Sequence, residues 1–216
     1  MASRPAGDPA PRRDQARTRL ARAAVVDAAR DLFLERGYGA TTIDAISERA
    51  DVPTATVYRL FSSKLGILKS LIDVSIVGDH EDVAMADRPQ VRSLAEHPQP
   101  RELVAGFVHV TAQVNGRVAS IYRILVSAAG TDPDAAALLE QLSRQRQEGQ
   151  RMIARALTRS GVLRPGLRPR DAADVIHALL SPDLYRLLVV DRGWATDRYE
   201  RWLASTLADQ LLRPDP

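Results

Sequence analysis

The sequence predicts an all-α protein with a small three-helix module at its N-terminus and a larger helical body behind it. Three observations carry that prediction. Apolar residues recur at helical spacing from Thr18 almost to the end. No sustained period-2 run with hairpin turn chemistry interrupts them. Positive charge is concentrated in the first third: residues 1–70 hold 12 Lys or Arg against 8 Asp or Glu, whereas residues 71–216 hold 18 against 19. The formal net charge of +3 is therefore modest, but it comes from the N-terminal end. A basic terminal module on a near-neutral body is the electrostatic pattern of a nucleic-acid-reading head on a sensing or assembly domain.

Residues 1–16, rich in Pro, Ala, Gly and Arg and without apolar periodicity, read as a disordered basic arm. The first helix follows from Thr18, with a stripe through Leu20, Ala24, Val25, Ala28, Ala29, Leu32 and Phe33, and Gly37 stops it. The second starts after Thr41, where Thr41 and Asp44 form a capping pattern, and uses Ile43, Ile46 and Ala50 as its apolar face. Asp51-Val52-Pro53 is a tight break, and the fixed φ of Pro53 prepares the third helix, Thr54 to about Phe61. Ser62-Ser63 breaks and caps again before a helix from Lys64 to about Val77. Residues 78–100 are irregular, with Pro89 able to open a short helix through Glu96. The body then offers apolar segments over about 101–116 and 118–130, a long arginine-rich helix from Pro133 to about Ser160, and final helices over about 171–190 and 197–212. Ser181-Pro182 should kink or restart the penultimate one. The expected division is an arm (1–16), a helix-turn-helix domain (17–64) and a body for ligand binding and dimerisation (65–216).

Several chemistries are excluded. Without cysteine there is no disulfide, thiolate metal site or cysteine nucleophile, which fits a reducing cytoplasm. Four scattered histidines make no HExxH or Glu-x-x-His pattern, and no Walker loop, nucleophile elbow or dinucleotide fingerprint is present. No catalytic residue, metal or cofactor is expected. The first residues lack the apolar core of a signal peptide, and no stretch approaches the roughly 18 apolar residues that span a bilayer, so a soluble cytoplasmic protein is expected.

Short helices joined by tight turns form the helix-turn-helix pattern, in which one helix crosses the DNA backbone and the next enters the major groove. In the third helix Val57 and Phe61 pack inward, leaving Thr54, Ala55, Tyr58 and Arg59 outward. Small residues at its start admit the backbone to the bases. The hydroxyls of Thr54, Thr56 and Tyr58 can donate to phosphates, and Arg59 can read guanine or hold a phosphate. Thr41 or Thr42 and Lys64, near helix starts, are candidate backbone clamps. In the body, Phe107, Tyr122, Arg123 and His177, with His109 and Tyr185, are candidates to line a ligand pocket between helices. Leu187, Leu188 and Val189 with Leu203, Leu207 and Leu211 suggest an interface with a second copy.

The segment TTIDAISERADVPTATVYRLFSSKLGILKSLI resembles the DNA-binding region of the TetR family of repressors. The match falls at Thr41, Thr42, Ala50, Val52, Thr56, Val57, Tyr58, Phe61, Lys64 and Leu68, with Phe33 and Gly37-Tyr38 upstream. Asp51 replaces the usual turn glycine, Ala55 the recognition-helix glycine, Pro53 a serine and Leu60 an often polar residue. The run SPDLYRLLVVDRGWATDRYERWLASTLADQLL is similar to the family's last two helices, which form an intersubunit four-helix bundle. The resemblance implies a homodimer paired through about 171–190 and 197–212. It implies double-stranded DNA with a palindromic operator as partner, and release of repression by an unknown small-molecule effector. An enzyme on a helical bundle is the first competing class. The second is an interaction protein whose degenerate helix-turn-helix no longer reads DNA.

Overall fold

The computed structural model describes residues 10–78, 93–94 and 99–214. Among them are helices and their connections, with no strand beyond one isolated bridge between Leu163 and Leu212. The chain divides into two compact units, the first ending at Leu71 and the second beginning at Ile72.

In the first unit α1 runs Ala10–Ala40. The part of the expected arm that is described, 10–16, is thus helical; its alanines and arginines are good helix formers. Gly37 breaks the helix as expected, at φ 78 and ψ 167, a conformation open to glycine. Val25, Ala28, Ala29, Leu32 and Phe33 are buried, but Leu20 is exposed and not part of the stripe. α2 (Ile43–Ala50) and α3 (Thr54–Phe61) pack on α1 and on each other around Ile46, Val52, Val57 and Phe61. α4 spans Lys64–Val77. The division after Leu71 falls inside α4, and the expected boundary at 64 lies at the start of that helix.

In the second unit α5 is one helix, Pro100–Ala129, rather than two segments. Gly116 costs it about 1 kcal/mol relative to alanine. The face buried through Leu103, Phe107, Ala112, Ala119 and Leu125 outweighs that. A Cβ at Gly116 would lie 3.1 Å from the Tyr185 hydroxyl, so the glycine serves close packing. α6 (Pro133–Arg159) and α9 (Thr196–Leu211) both pack on α5. Between them in sequence come α7 (Pro169–Leu179) and α8 (Pro182–Tyr185), which continues as a π-helical turn, Arg186–Asp191. The Ser181-Pro182 restart is as expected: the Ser181 hydroxyl accepts from the Leu184 N–H. Leu203, Leu207 and Leu211 are buried in this unit's own core, which corrects their assignment to an interface. Residues 89–92 and 95–96 of the short helix expected at Pro89 lie outside the described residues.

Within this unit Arg117 of α5 grips the end of α4. Its Nε donates to the Ser75 carbonyl at 2.9 Å and its Nη2 to the Ile76 carbonyl at 3.0 Å. These are carbonyls that a helix C-terminus otherwise leaves without partners.

Candidate nucleic-acid interface

The turn between α2 and α3 is closed by backbone. Asp51, in the left-handed region at φ 51 and ψ 43, donates its N–H to the Glu48 carbonyl, and Val52 donates to Ser47. Aspartate enters that region more readily than most residues, but glycine does so without a Cβ penalty. Asp51→Gly is expected to stabilise the protein by about 0.5–1 kcal/mol and Asp51→Val to destabilise it by more than that. Chemical denaturation with unchanged slope reads both.

Side chains finish the joint. The Ser47 hydroxyl donates to the Val52 carbonyl at 2.6 Å, and Thr54 Oγ1 is placed 3.0 Å from Ser47 Oγ and 3.3 Å from Asp44 Oδ1. Thr54 thus fastens α3 to α2, and its hydroxyl is turned to protein rather than to solvent. The N-cap of α2 is Thr42, whose Oγ1 accepts from the Ala45 N–H at 3.1 Å. The cap falls one residue later than expected because Thr41 is needed inside. Buried, Thr41 donates toward the carbonyls of Gly37 at 2.8 Å and Leu32 at 3.2 Å, bridging the break in α1. It is no outward clamp.

Lys64 is turned inward too. Its Nζ donates to the Tyr38 carbonyl at 2.7 Å and the Thr41 carbonyl at 2.8 Å, and lies 4.3 Å from the centre of the Tyr38 ring. In this conformation the ammonium ties the start of α4 to the end of α1 instead of presenting itself for a phosphate. The entry to α4 is tight. Ser63 Oγ accepts from the Gly66 N–H at 3.0 Å, and a Cβ at Gly66 would sit 2.0 Å from the Phe61 carbonyl oxygen.

What remains outward on α3 is a small, contiguous set. Ala55, Tyr58 and Arg59 are exposed, Tyr58 by 51%, and Thr56 is half-buried beside them. Val57 and Phe61 hold the opposite face in the core, as the spacing predicts. Two positioning contacts were not legible in the sequence. Arg22 of α1 donates to the Leu60 carbonyl at 2.8 Å and covers the Phe61 ring, and Arg49 of α2 pairs with Glu35 of α1 through two 3.0 Å bonds.

In the body the candidate ligand residues separate. Phe107 is buried among core side chains, and Arg123 is exposed. Tyr122 and His177 are half-buried and share a neighbour the sequence reading missed, Arg146 of α6. Arg146 Nη1 donates to the His177 carbonyl at 3.1 Å and Nη2 to His177 Nε2 at 3.0 Å, while His177 Nδ1 lies 2.8 Å from Gln150 Oε1. His109 is an exposed partner of Glu200, and Tyr185 is a core ring set edge-on to Tyr199. Among the described residues no group of His, Asp or Glu is arranged to hold a metal ion.

Residues 25–71 match the family model described as bacterial regulatory proteins, tetR family. Over these residues the chain carries a DNA-binding region of the TetR type. It is 28% identical over 167 residues to the uncharacterised HTH-type transcriptional regulator YdeS of Bacillus subtilis, covering 77% of each chain. To YvkB of the same organism it is 42% identical over 48 residues, 22% of this chain and 25% of that one. Among solved structures it resembles NalD, the secondary repressor of the MexAB-OprM multidrug efflux pump in Pseudomonas aeruginosa. That match has a TM-score of 0.68 at 20% identity, covering 90% of this chain and 98% of NalD. A SmeT–triclosan complex matches with a TM-score of 0.68 at 18% identity over 91% of this chain and 98% of that one. With that region and these relatives, the chain is a DNA-binding transcriptional regulator, not an enzyme. No described helix is long and apolar enough to cross a membrane.

Proposed function

We propose that this protein is a cytoplasmic homodimeric repressor of the TetR type that reads a palindromic operator through α3 and leaves it when a small molecule binds the body. The observation that carries the reading is the face Ala55, Thr56, Tyr58 and Arg59, left outward while Thr41, Thr54 and Lys64 are spent on holding the helices. Small Ala55 permits close approach, the Tyr58 hydroxyl donates to phosphate, and Arg59 suits a guanine edge or a phosphate. Thr42, exposed at the start of α2, is the remaining backbone clamp. The repressor role of NalD and the triclosan bound by SmeT support repression and small-molecule control here by analogy. Two-fold symmetry makes a palindrome the natural target.

The test is a titration of the full chain against DNA upstream of its own coding region at two salt concentrations. Tight binding that weakens steeply with salt is expected. Tyr58→Ala should weaken binding to all sequences alike by about 1 kcal/mol. Arg59→Ala should cost about 1–3 kcal/mol and, if it reads a base, relax specificity there. Unchanged affinity in the double variant refutes the assigned face. Salt-independent or absent binding, repeated in a random-sequence selection, would favour the degenerate-head interaction protein.

A further inference from the structure

Arg146 is a half-buried cation whose direct partners are both neutral. It bonds to the His177 carbonyl and the His177 ring. That ring is itself uncharged in this arrangement: Gln150 Oε1 only accepts, so the proton sits on Nδ1 and Nε2 offers its lone pair to Arg146. Among the described residues no carboxylate lies within ion-pair distance of the guanidinium; Asp183 acts on it only from farther away. Arg146 Nε is buried with no hydrogen-bond partner among the described residues. Burial lowers the pKa of Arg146 and raises that of Tyr122 nearby, so the Tyr122 hydroxyl stays a proton donor. A buried charge left unpaired is costly, and an orphaned buried donor calls for an explanation.

We propose that Arg146 receives the carboxylate of an organic monoanion, with the Tyr122 hydroxyl as a second donor. One uncompensated positive charge suits one negative charge, and neutral His177 supplies no second cation for a phosphate dianion. The carboxylate takes the Nε–Nη2 edge of the guanidinium in a bidentate pair, the geometry arginine favours, and displaces the neutral ring of His177. Because His177 lies on α7 and Arg146 on α6, that exchange loosens one tie between the two helices. The inference rests on the proposal that the body binds a small effector, and names its chemical class.

Octanoate and its neutral isostere octanamide, titrated by calorimetry into the full chain at matched ionic strength, test it. Octanoate should bind at least about tenfold tighter than octanamide, and Arg146→Met should erase that preference. Ligand-free Arg146→Met should melt no lower than wild type, since it removes a desolvated charge; a fall of several degrees would make Arg146 a structural brace and overturn the proposal. Equal binding of the two probes, binding of neither, or a preference that survives Arg146→Met overturns it as well. Operator titration with each probe separates the two readings. Octanoate that binds through Arg146 yet leaves operator affinity unchanged defeats effector release alone. Release by octanamide but not octanoate defeats the carboxylate alone.

Discussion

Gly66→Ala is expected to abolish operator binding while the body stays folded and dimeric. Alanine normally helps a helix by about 1 kcal/mol relative to glycine. At this position its Cβ would stand 2.0 Å from the Phe61 carbonyl oxygen and 3.2 Å from the carbon. Backbone, not a flexible side-chain tip, is what it meets, and the same oxygen accepts the Ser63 N–H at 2.7 Å. Relief therefore means moving the end of α3 or the start of α4, which strains Ser62, already at φ 64, and breaks the Ser63 cap on Gly66. Overpacking of this kind costs roughly 1–3 kcal/mol and more where backbone must move. Two-probe thermal unfolding and the DNA titration read the outcome. Gly149→Ala in α6, whose Cβ would have nothing within 4 Å, is the control and should gain about 0.5–1 kcal/mol. If Gly66→Ala melts and binds like wild type, the turn is looser than its geometry states.

The double substitution Leu187→Asp and Val190→Asp is expected to give a folded monomer that no longer holds operator DNA. Both side chains lie on the π-helical turn, 48% and 56% exposed, so the protomer's own core does not need them. Half-buried Leu188, Val189, Trp194 and Trp202 adjoin, the two tryptophan rings set edge to face at 5.7 Å. Large apolar groups gathered in the open mark an association surface. In a two-fold interface each substitution counts twice. Four buried aliphatic side chains are worth on the order of 6 kcal/mol or more, and four carboxylates add desolvation cost. Sedimentation should therefore shift from dimer to monomer at micromolar concentration, with operator affinity falling at least about 100-fold as two half-sites become one. A persistent dimer would move the interface off this turn.

The parts of the fold that were legible in the sequence share a cause: they are local. The limits of α4 follow from Ser62-Ser63 before it and apolar Leu65, Leu68, Leu71 and Ile72 within it. The α2–α3 turn follows from Asp51 and Pro53, and the outward face of α3 from Val57 and Phe61 four residues apart. What was missed depends on contacts between residues far apart in the chain. Nothing near Lys64 announces that carbonyls 23 and 26 residues earlier will hold its ammonium. Thr41 and Thr42 are indistinguishable as letters, and only the break at Gly37 decides which is swallowed. Leu203, Leu207 and Leu211 make the same stripe whether it faces α5 or a second protomer. Arg146 carried no signal at all, since its partner His177 lies 31 residues on.

The grip of Arg117 on the last carbonyls of α4 bears on how the chain opens. Helix ends ordinarily fray first, exchanging their amide hydrogens on the shortest timescales in a protein. Here the Ser63 cap secures one end of a 14-residue helix and a guanidinium the other. With neither end free to unravel, α4 should exchange as a single cooperative unit. Its slowest amides then report the opening of the whole element, rather than the gradient of protection seen along a helix that melts from its tips.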